Sequence, residues 1–132
     1  MKKNLFTFLF FAYNIVCFAQ LYDDFSDGNF TNNPSWEGSA GAFEVSVDFK
    51  LQLNDSVSNT SYLSTSSNAI INGFWEFDVK LDFDPSTSNY AQIYLTSDVQ
   101  DLSGDLNGYF VKIGGESGAV DEIALYAQNG SS

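Results

Sequence analysis

The chain has 132 residues, with 17 acidic residues against five lysines, a formal net charge of −12 and 17% aromatic content. It has no histidine or arginine and a single cysteine, Cys17, which leaves no imidazole base, no usual zinc site and no internal disulfide. So large an acidic excess repels nucleic acid and anionic lipid; it suits calcium-rich surroundings or neutral polymers such as polysaccharides.

Residues 1–19 read as a secretory signal peptide: Lys2 and Lys3, then an apolar run from Leu5, then Cys17-Phe18-Ala19 as a cleavage site before Gln20. Two alternatives are a membrane anchor, for which the apolar run falls short of the roughly 20 residues a spanning helix needs, and lipid attachment at Cys17, which the bulky Ile15 and Val16 disfavour. Cleavage leaves residues 20–132 without cysteine and without a membrane span. Its only cations are Lys50, Lys80 and Lys112, so the formal charge becomes −14 (3 − 17). The expected location is extracellular or at the cell surface.

The stretch 23–38 is rich in turn formers, with Asp27-Gly28 and Asn32-Asn33-Pro34, and with Phe25, Phe30 and Trp36 recurring through it. It predicts a short strand over 21–25 and then a loop anchored by aromatics. Strands are expected over 43–47 and 48–53, where Phe49, Leu51 and Leu53 alternate with Lys50 and Gln52. Asn72-Gly73 is a hairpin signal. Extending its pairing would set Ser64, Ser66 and Asn68 beside aromatic residues, at a cost unless they are hydrogen-bonded, so only the turn is expected.

Phe74 to Phe83 alternates strictly: Trp75, Phe77, Val79, Leu81 and Phe83 on one side, Glu76, Asp78, Lys80 and Asp82 on the other. That period predicts a strand with one buried face, ended by Pro85. Tyr90 to Ser97 predicts a strand with Ala91, Ile93 and Leu95 inward and Tyr90, Gln92, Tyr94 and Thr96 outward. A polar loop from Ser97 to Gly108 leads to a strand over 109–113. The final strand, 122–128, has Ile123, Leu125 and Ala127 inward. No window carries a helical period. Many short strands separated by turns predict an all-β protein, an antiparallel β-sandwich. Asn129-Gly130 reads as a hairpin turn with no returning strand, leaving an apolar edge. On that ground the sandwich domain, 20–132, reads as incomplete at its C-terminus, with further domains to follow.

Six segments in order, D-D-F-S-D-G-N-F at Asp23, N-P-S-W-E-G at Asn33, L-Q-L-N at Leu51, F-W-E-F-D-V-K-L at Phe74, A-Q-I-Y-L-T-S-D at Ala91 and G-Y-F-V-K-I-G at Gly108, resemble the N-terminal domain of secreted bacterial lamin-tail-domain and hypothetical proteins. That domain is similar to the concanavalin A-like lectin/glucanase jelly roll, and the resemblance implies this fold. It also invites comparison with the catalytic strand of the β-glucanases. Glu76 would match their nucleophile and Asp78 their assisting aspartate, but the acid/base position falls on Lys80 or, with a bulge, on Leu81. Retaining hydrolysis needs two carboxyl groups about 5 Å apart, so no catalytic residue is assigned and the strand reads as non-catalytic.

The outward residues are the candidate ligand-binding set: Glu76, Asp78, Tyr90, Gln92, Tyr94, Phe110, Lys112 and Tyr126. In a jelly roll they would line the concave sheet, where aromatic platforms beside amides and carboxylates suit a neutral glycan; the plainer reading is that Tyr and Phe favour strands. Asp98, Asp101, Asp105 and Asn107 crowd one loop with the hard oxygen donors that suit calcium, and Asp23, Asp24 and Asp27 form a weaker cluster. Apart from calcium no cofactor is implied. The expected function is a non-catalytic adhesion or carbohydrate-binding module of a secreted or cell-surface protein. The alternatives are part of a β-glucanase-type hydrolase and a structural spacer.

Overall fold

The computed structural model describes residues 21–68, 73–116 and 122–131; the leader and the Asn72 turn lie outside them. The chain is all-β with antiparallel pairing, plus one turn of 3-10 helix at Ala40–Ala42. Its strands are β1 (Glu37–Gly38), β2 (Phe43–Val45), β3 (Leu51–Leu53), β4 (Leu63–Ser64), β5 (Ala91–Ser97), β6 (Leu106–Ile113) and β7 (Ile123–Gly130). They form two small pairs, β1–β4 and β2–β3, and one three-stranded sheet in the order β5-β6-β7. No helix among the described residues is long and apolar enough to cross a membrane.

The opening segment is a loop throughout, without the expected strand over 21–25. Its side chains take over the backbone donors that a ladder would use. Asp23 accepts from the Phe25 amide at 2.9 Å, Asp24 from Ser26 at 3.0 Å and Asp27 from Asn29 at 3.1 Å. The aromatics do anchor it: Phe25 and Trp36 lie 6.2 Å apart, and the Trp36 indole donates to Asp23 at 2.8 Å. Downstream, β2 and β3 form a hairpin pairing Phe43 with Leu53 and Val45 with Leu51. Phe49 belongs to its turn rather than to the expected strand, with φ at +56°.

The largest departure is at Phe74 to Phe83, which forms no strand. Leu81 is half-buried, and the segment's other apolar side chains are largely in solvent, from Phe83 at 40% exposed to Phe74 at 66%. Alternation makes a chain able to be a half-buried strand, but burial requires a partner, and no described strand bonds to this one. The Lys80–Asp82 ion pair, 2.7 Å long with both side chains about four-fifths exposed, adds little stability.

The strands of the three-stranded sheet lie where the sequence placed them, with β5 one residue shorter and β6 and β7 longer than expected. Leu106 and Asn107, expected in the loop, open β6, while Asn129 and Gly130 end β7 as ladder partners of Asn107 and Leu106 rather than as a hairpin turn. The β5–β6 register skips one residue: Tyr94 faces Phe110, but Thr96 faces Tyr109, so Leu95 is the extra residue of a bulge. The loop between these strands ties the sheet to β1–β4. Gln100 donates to Glu37 at 2.6 Å, and Ser64 donates to the Gln100 carbonyl at 2.9 Å.

On β6 and β7 the most buried side chains lie on the face expected to be outward, while on β5 Tyr90 and Gln92 are exposed and Ala91 and Ile93 half-buried, as expected. Leu106 is 2% exposed, Phe110 7% and Gln128 6%, all on the face read as outward. On the face read as inward, Ile123 is 70% exposed and Leu125 65%. Large rings on adjacent strands cover one another on the first face. Over the second, nothing among the described residues supplies a covering sheet.

Candidate ligand-binding face

Register carries the site. Tyr94, Phe110 and Tyr126 occupy facing positions on β5, β6 and β7, so their side chains emerge on one face in a row. The Tyr94 and Phe110 centroids are 5.0 Å apart and tilted; Phe110 and Tyr126 stack at 5.4 Å with 12° between their planes. Such cross-strand aromatic pairs stabilise a sheet by roughly 0.5–1.5 kcal/mol each beyond their area burial. Phe110 is the centre of the row and is buried, so it supports the outer rings instead of facing a ligand as expected. Tyr126 and Tyr90 keep open surface.

One step along the strands, Gln92, Lys112 and Ala124 face one another. Gln92 is exposed. The Lys112 ammonium sits 4.6 Å from the Tyr90 ring centroid and 5.8 Å from that of Tyr126, within reach of cation–π attraction to both. It also donates to the Gly115 carbonyl at 3.4 Å and lies 3.9 Å from Glu116. Lys112 is thus occupied in holding two rings and is not a free cation aimed at solvent.

At the other end of the row, the Tyr94 hydroxyl donates to Gln128 Oε1 at 2.6 Å, and the Gln128 amide donates to the Gly130 carbonyl at 3.0 Å and the Gly104 carbonyl at 3.5 Å. Burial, followed by the neighbouring Tyr90 phenol, pushes the Tyr94 pKa up and keeps it a neutral donor. Gln128 and Leu106 escaped the sequence reading. A glutamine at a strand end looks solvent-facing, and Leu106 is flanked by Asp105 and Asn107. The usable signal was the period-two continuation Leu106, Gly108, Phe110, Lys112.

No family model, curated protein or solved structure matches this chain. What the face can do therefore rests on its own chemistry: two partly open phenol rings, an exposed amide and a buried aromatic support. Glu76 and Asp78 are not part of it. Both are exposed on the unpaired segment, outside the sheet that holds the aromatic row.

Two of the loop acids, Asp98 and Asp101, have local partners. Asp98 accepts from the Asn107 backbone and side-chain amides, both at 2.7 Å, and these bonds lower its pKa. Asp101 accepts from the Ser103 hydroxyl at 2.6 Å and amide at 2.9 Å, with Tyr62 as a further donor; again the pKa falls. Among the described residues no three acidic side chains converge as a metal-ligating group, so Asp98, Asp101, Asp105 and Asn107 are not brought together as one. The bonds instead close the loop and fix Asp98 to the start of β6. Elsewhere, a polar hollow of about 410 Å³ lies between Asp55, Ser61 and Asn89. Its Asp55 carboxylate is already taken by the Ser61 hydroxyl at 2.7 Å and the Val57 amide at 2.9 Å.

Proposed function

We propose that this chain is a non-catalytic module of a secreted or cell-surface protein, binding a neutral polysaccharide across the Tyr90–Tyr126 side of the β5–β6–β7 sheet. The observation that carries the reading is the row of Tyr94, Phe110 and Tyr126, set at 5.0 and 5.4 Å across three strands. Flat apolar sugar faces stack on such rings, and Gln92 supplies both a donor and an acceptor for ring hydroxyls. The charge of −14 favours a neutral polymer over an acidic one, since Lys112 is committed to Tyr90 and Tyr126. The fold proposed with this function is a concanavalin A-like jelly-roll sandwich, and the antiparallel β5-β6-β7 sheet supports it.

Arrayed neutral polysaccharides test the reading. The chain is expected to bind at least one of them. Tyr126→Ala should weaken that binding roughly two- to tenfold, the equivalent of one aromatic contact of about 0.5–1.5 kcal/mol. Leu125→Ala, on the opposite face, should leave it unchanged. Absence of binding to every neutral glycan, or equal losses from both substitutions, contradicts the proposal.

A further inference from the structure

The outer edge of β7 bonds to no described strand, and the register of the sheet shows which of its backbone groups are left over. The β6–β7 ladder runs without a shift from Leu106–Gly130 to Ile113–Ile123. The next pair along it, Gly114–Glu122, is bonded, with the Gly114 N–H donating to the Glu122 carbonyl at 2.8 Å. Antiparallel pairs alternate between bonded and non-bonded. Ala124, Tyr126, Gln128 and Gly130 therefore turn their backbone groups toward β6, while Ile123, Leu125, Ala127 and Asn129 turn theirs outward. The far end agrees. The Asn107 carbonyl accepts from the Asp98 N–H at 3.0 Å on the β5 side, so Asn107 and Asn129 are a non-bonded pair. No backbone hydrogen bond among the described residues reaches the four outward residues of β7.

Sheet edges usually carry a device against pairing: a charge, a proline, a bulge or short length. β5 has one, the bulge at Leu95, which breaks its outward phase after Tyr94. β7 has none. It is eight residues long and unbulged, and residues 123–131 hold no charged side chain in a chain with 17 acids. Ile123, Leu125 and Tyr126 are exposed along it. We infer that β7 is a homodimer edge: it pairs antiparallel with β7 of a second copy about a twofold axis at Tyr126, joining the two three-stranded sheets into one.

The outward residues fix that register, because bonded partners must both face the seam. Centring the pair on Leu125 leaves Asn129 beyond the end of the partner strand, and centring it on Ala127 leaves Ile123 beyond it. Centring on Tyr126 sets Ile123 opposite the partner's Asn129 and Leu125 opposite the partner's Ala127, so every outward residue finds a bonded partner. Tyr126 then meets the partner's Tyr126 at a non-bonded position, where Cα atoms lie about 4.5 Å apart and side chains come closest. A twofold axis perpendicular to the sheet keeps both aromatic rows on one face. Tyr94, Phe110 and Tyr126 thus run on into the partner's Tyr126, Phe110 and Tyr94, repeating across the seam the kind of ring contact that joins strands within one copy. Glu122 comes opposite the partner's Gly130, so no like charges face each other. The pair is closed, since each copy uses its one regular edge. The seam depends on that edge and stands whether or not the row binds a glycan.

Cysteine cross-linking reads the register without any ligand. In a Cys17→Ser background, Tyr126→Cys should form a disulfide-linked dimer with oxidised glutathione, because facing non-bonded residues fall within disulfide range. Leu125→Cys and Ala127→Cys, which mark the two other centrings, should stay reduced. The unsubstituted chain should sediment as a dimer that tightens as salt is added, since salt screens the repulsion between two acidic bodies. Ala127→Pro removes an outward N–H while leaving the β6 ladder intact, a position where an edge strand tolerates proline. It should weaken the dimer by at least about tenfold. Should that variant fail to fold, hydrogen exchange in the unsubstituted chain decides the matter. The Leu125 and Ala127 amides should slow as protein concentration rises, while those of Ala124 and Tyr126, already bonded to β6, should not change. A monomer at every concentration, cross-linking at 125 or 127 in preference to 126, an unweakened Ala127→Pro dimer, or exchange at Leu125 and Ala127 independent of concentration would each overturn the inference.

Discussion

Replacing Leu106 with alanine is expected to cost about 2–5 kcal/mol, the range for emptying a packed leucine site. Leu106 is the side chain most completely withdrawn from water among the described residues, at 2% exposed. It opens β6 opposite Gly130, on the same face as Phe110, so its loss leaves a void at the end of the aromatic row. Small domains are stable by only about 5–15 kcal/mol in total, so the substitution removes a large fraction of the stability. A urea titration followed by far-UV circular dichroism would show a much lower midpoint. Leu125→Ala, on the open face, should stay within about 0.5 kcal/mol of the parent. If the two substitutions cost the same, the burial reversal on β6 and β7 is wrong.

Gly108→Ala is expected to lower the thermal midpoint by the equivalent of about 1–3 kcal/mol, the usual cost of forcing extra volume into a packed site. Gly108 faces Ser97 on one side and Gln128 on the other. The bulge at Leu95 brings the Thr96 carbonyl oxygen directly over it, so an added Cβ would collide with that oxygen and crowd the Ser97 Cα at 3.2 Å. Both obstacles are backbone and cannot rotate aside. Relief would require straightening the bulge, which would shift the β5–β6 register and with it the Tyr94–Phe110 pair. A melt by near-UV circular dichroism, sensitive to that aromatic pair, measures stability and register together. Unchanged melting and an unchanged aromatic signal would mean that the bulge lies elsewhere.

Both effects concern the part of the fold most legible in the sequence. Alternation located β5, the body of β6 and β7, and it put Tyr94, Phe110 and Tyr126 on one face, because side chains two residues apart must share a face in any strand. The same rule failed on which face of β6 and β7 is buried. Period two separates the sides of a strand but does not say which one meets the interior, and here both sides are apolar: Ile93, Val111 and Leu125 on one, Tyr94, Phe110 and Tyr126 on the other. It failed more fully at Phe74–Phe83, because a ladder needs a partner and no described strand bonds to this segment. The opening loop shows a third limit. Asp23, Asp24 and Asp27 read as a weak acidic cluster, yet each caps a backbone amide two residues on, a use of aspartate as natural to a turn as to a metal.

The site was legible in part. Tyr90, Gln92, Tyr94, Lys112 and Tyr126 follow from strand phase. The withdrawal of Phe110 into a support and the commitment of Lys112 to two rings depend on distances that phase alone does not give. Separating Glu76 and Asp78 from the row removes the carboxylates from the proposed contact surface and leaves stacking as its main chemistry.

Tyrosine-selective chemical modification, with and without a neutral polysaccharide that the chain binds, tests this account most directly. Tyr90 and Tyr126 should be shielded by the polymer, while Tyr109 on the opposite face and Tyr22 in the opening loop, 56% and 74% exposed, should react as before. Shielding of Tyr109 with Tyr90 and Tyr126 left reactive would place the ligand on the other side of the sheet and contradict the proposed face.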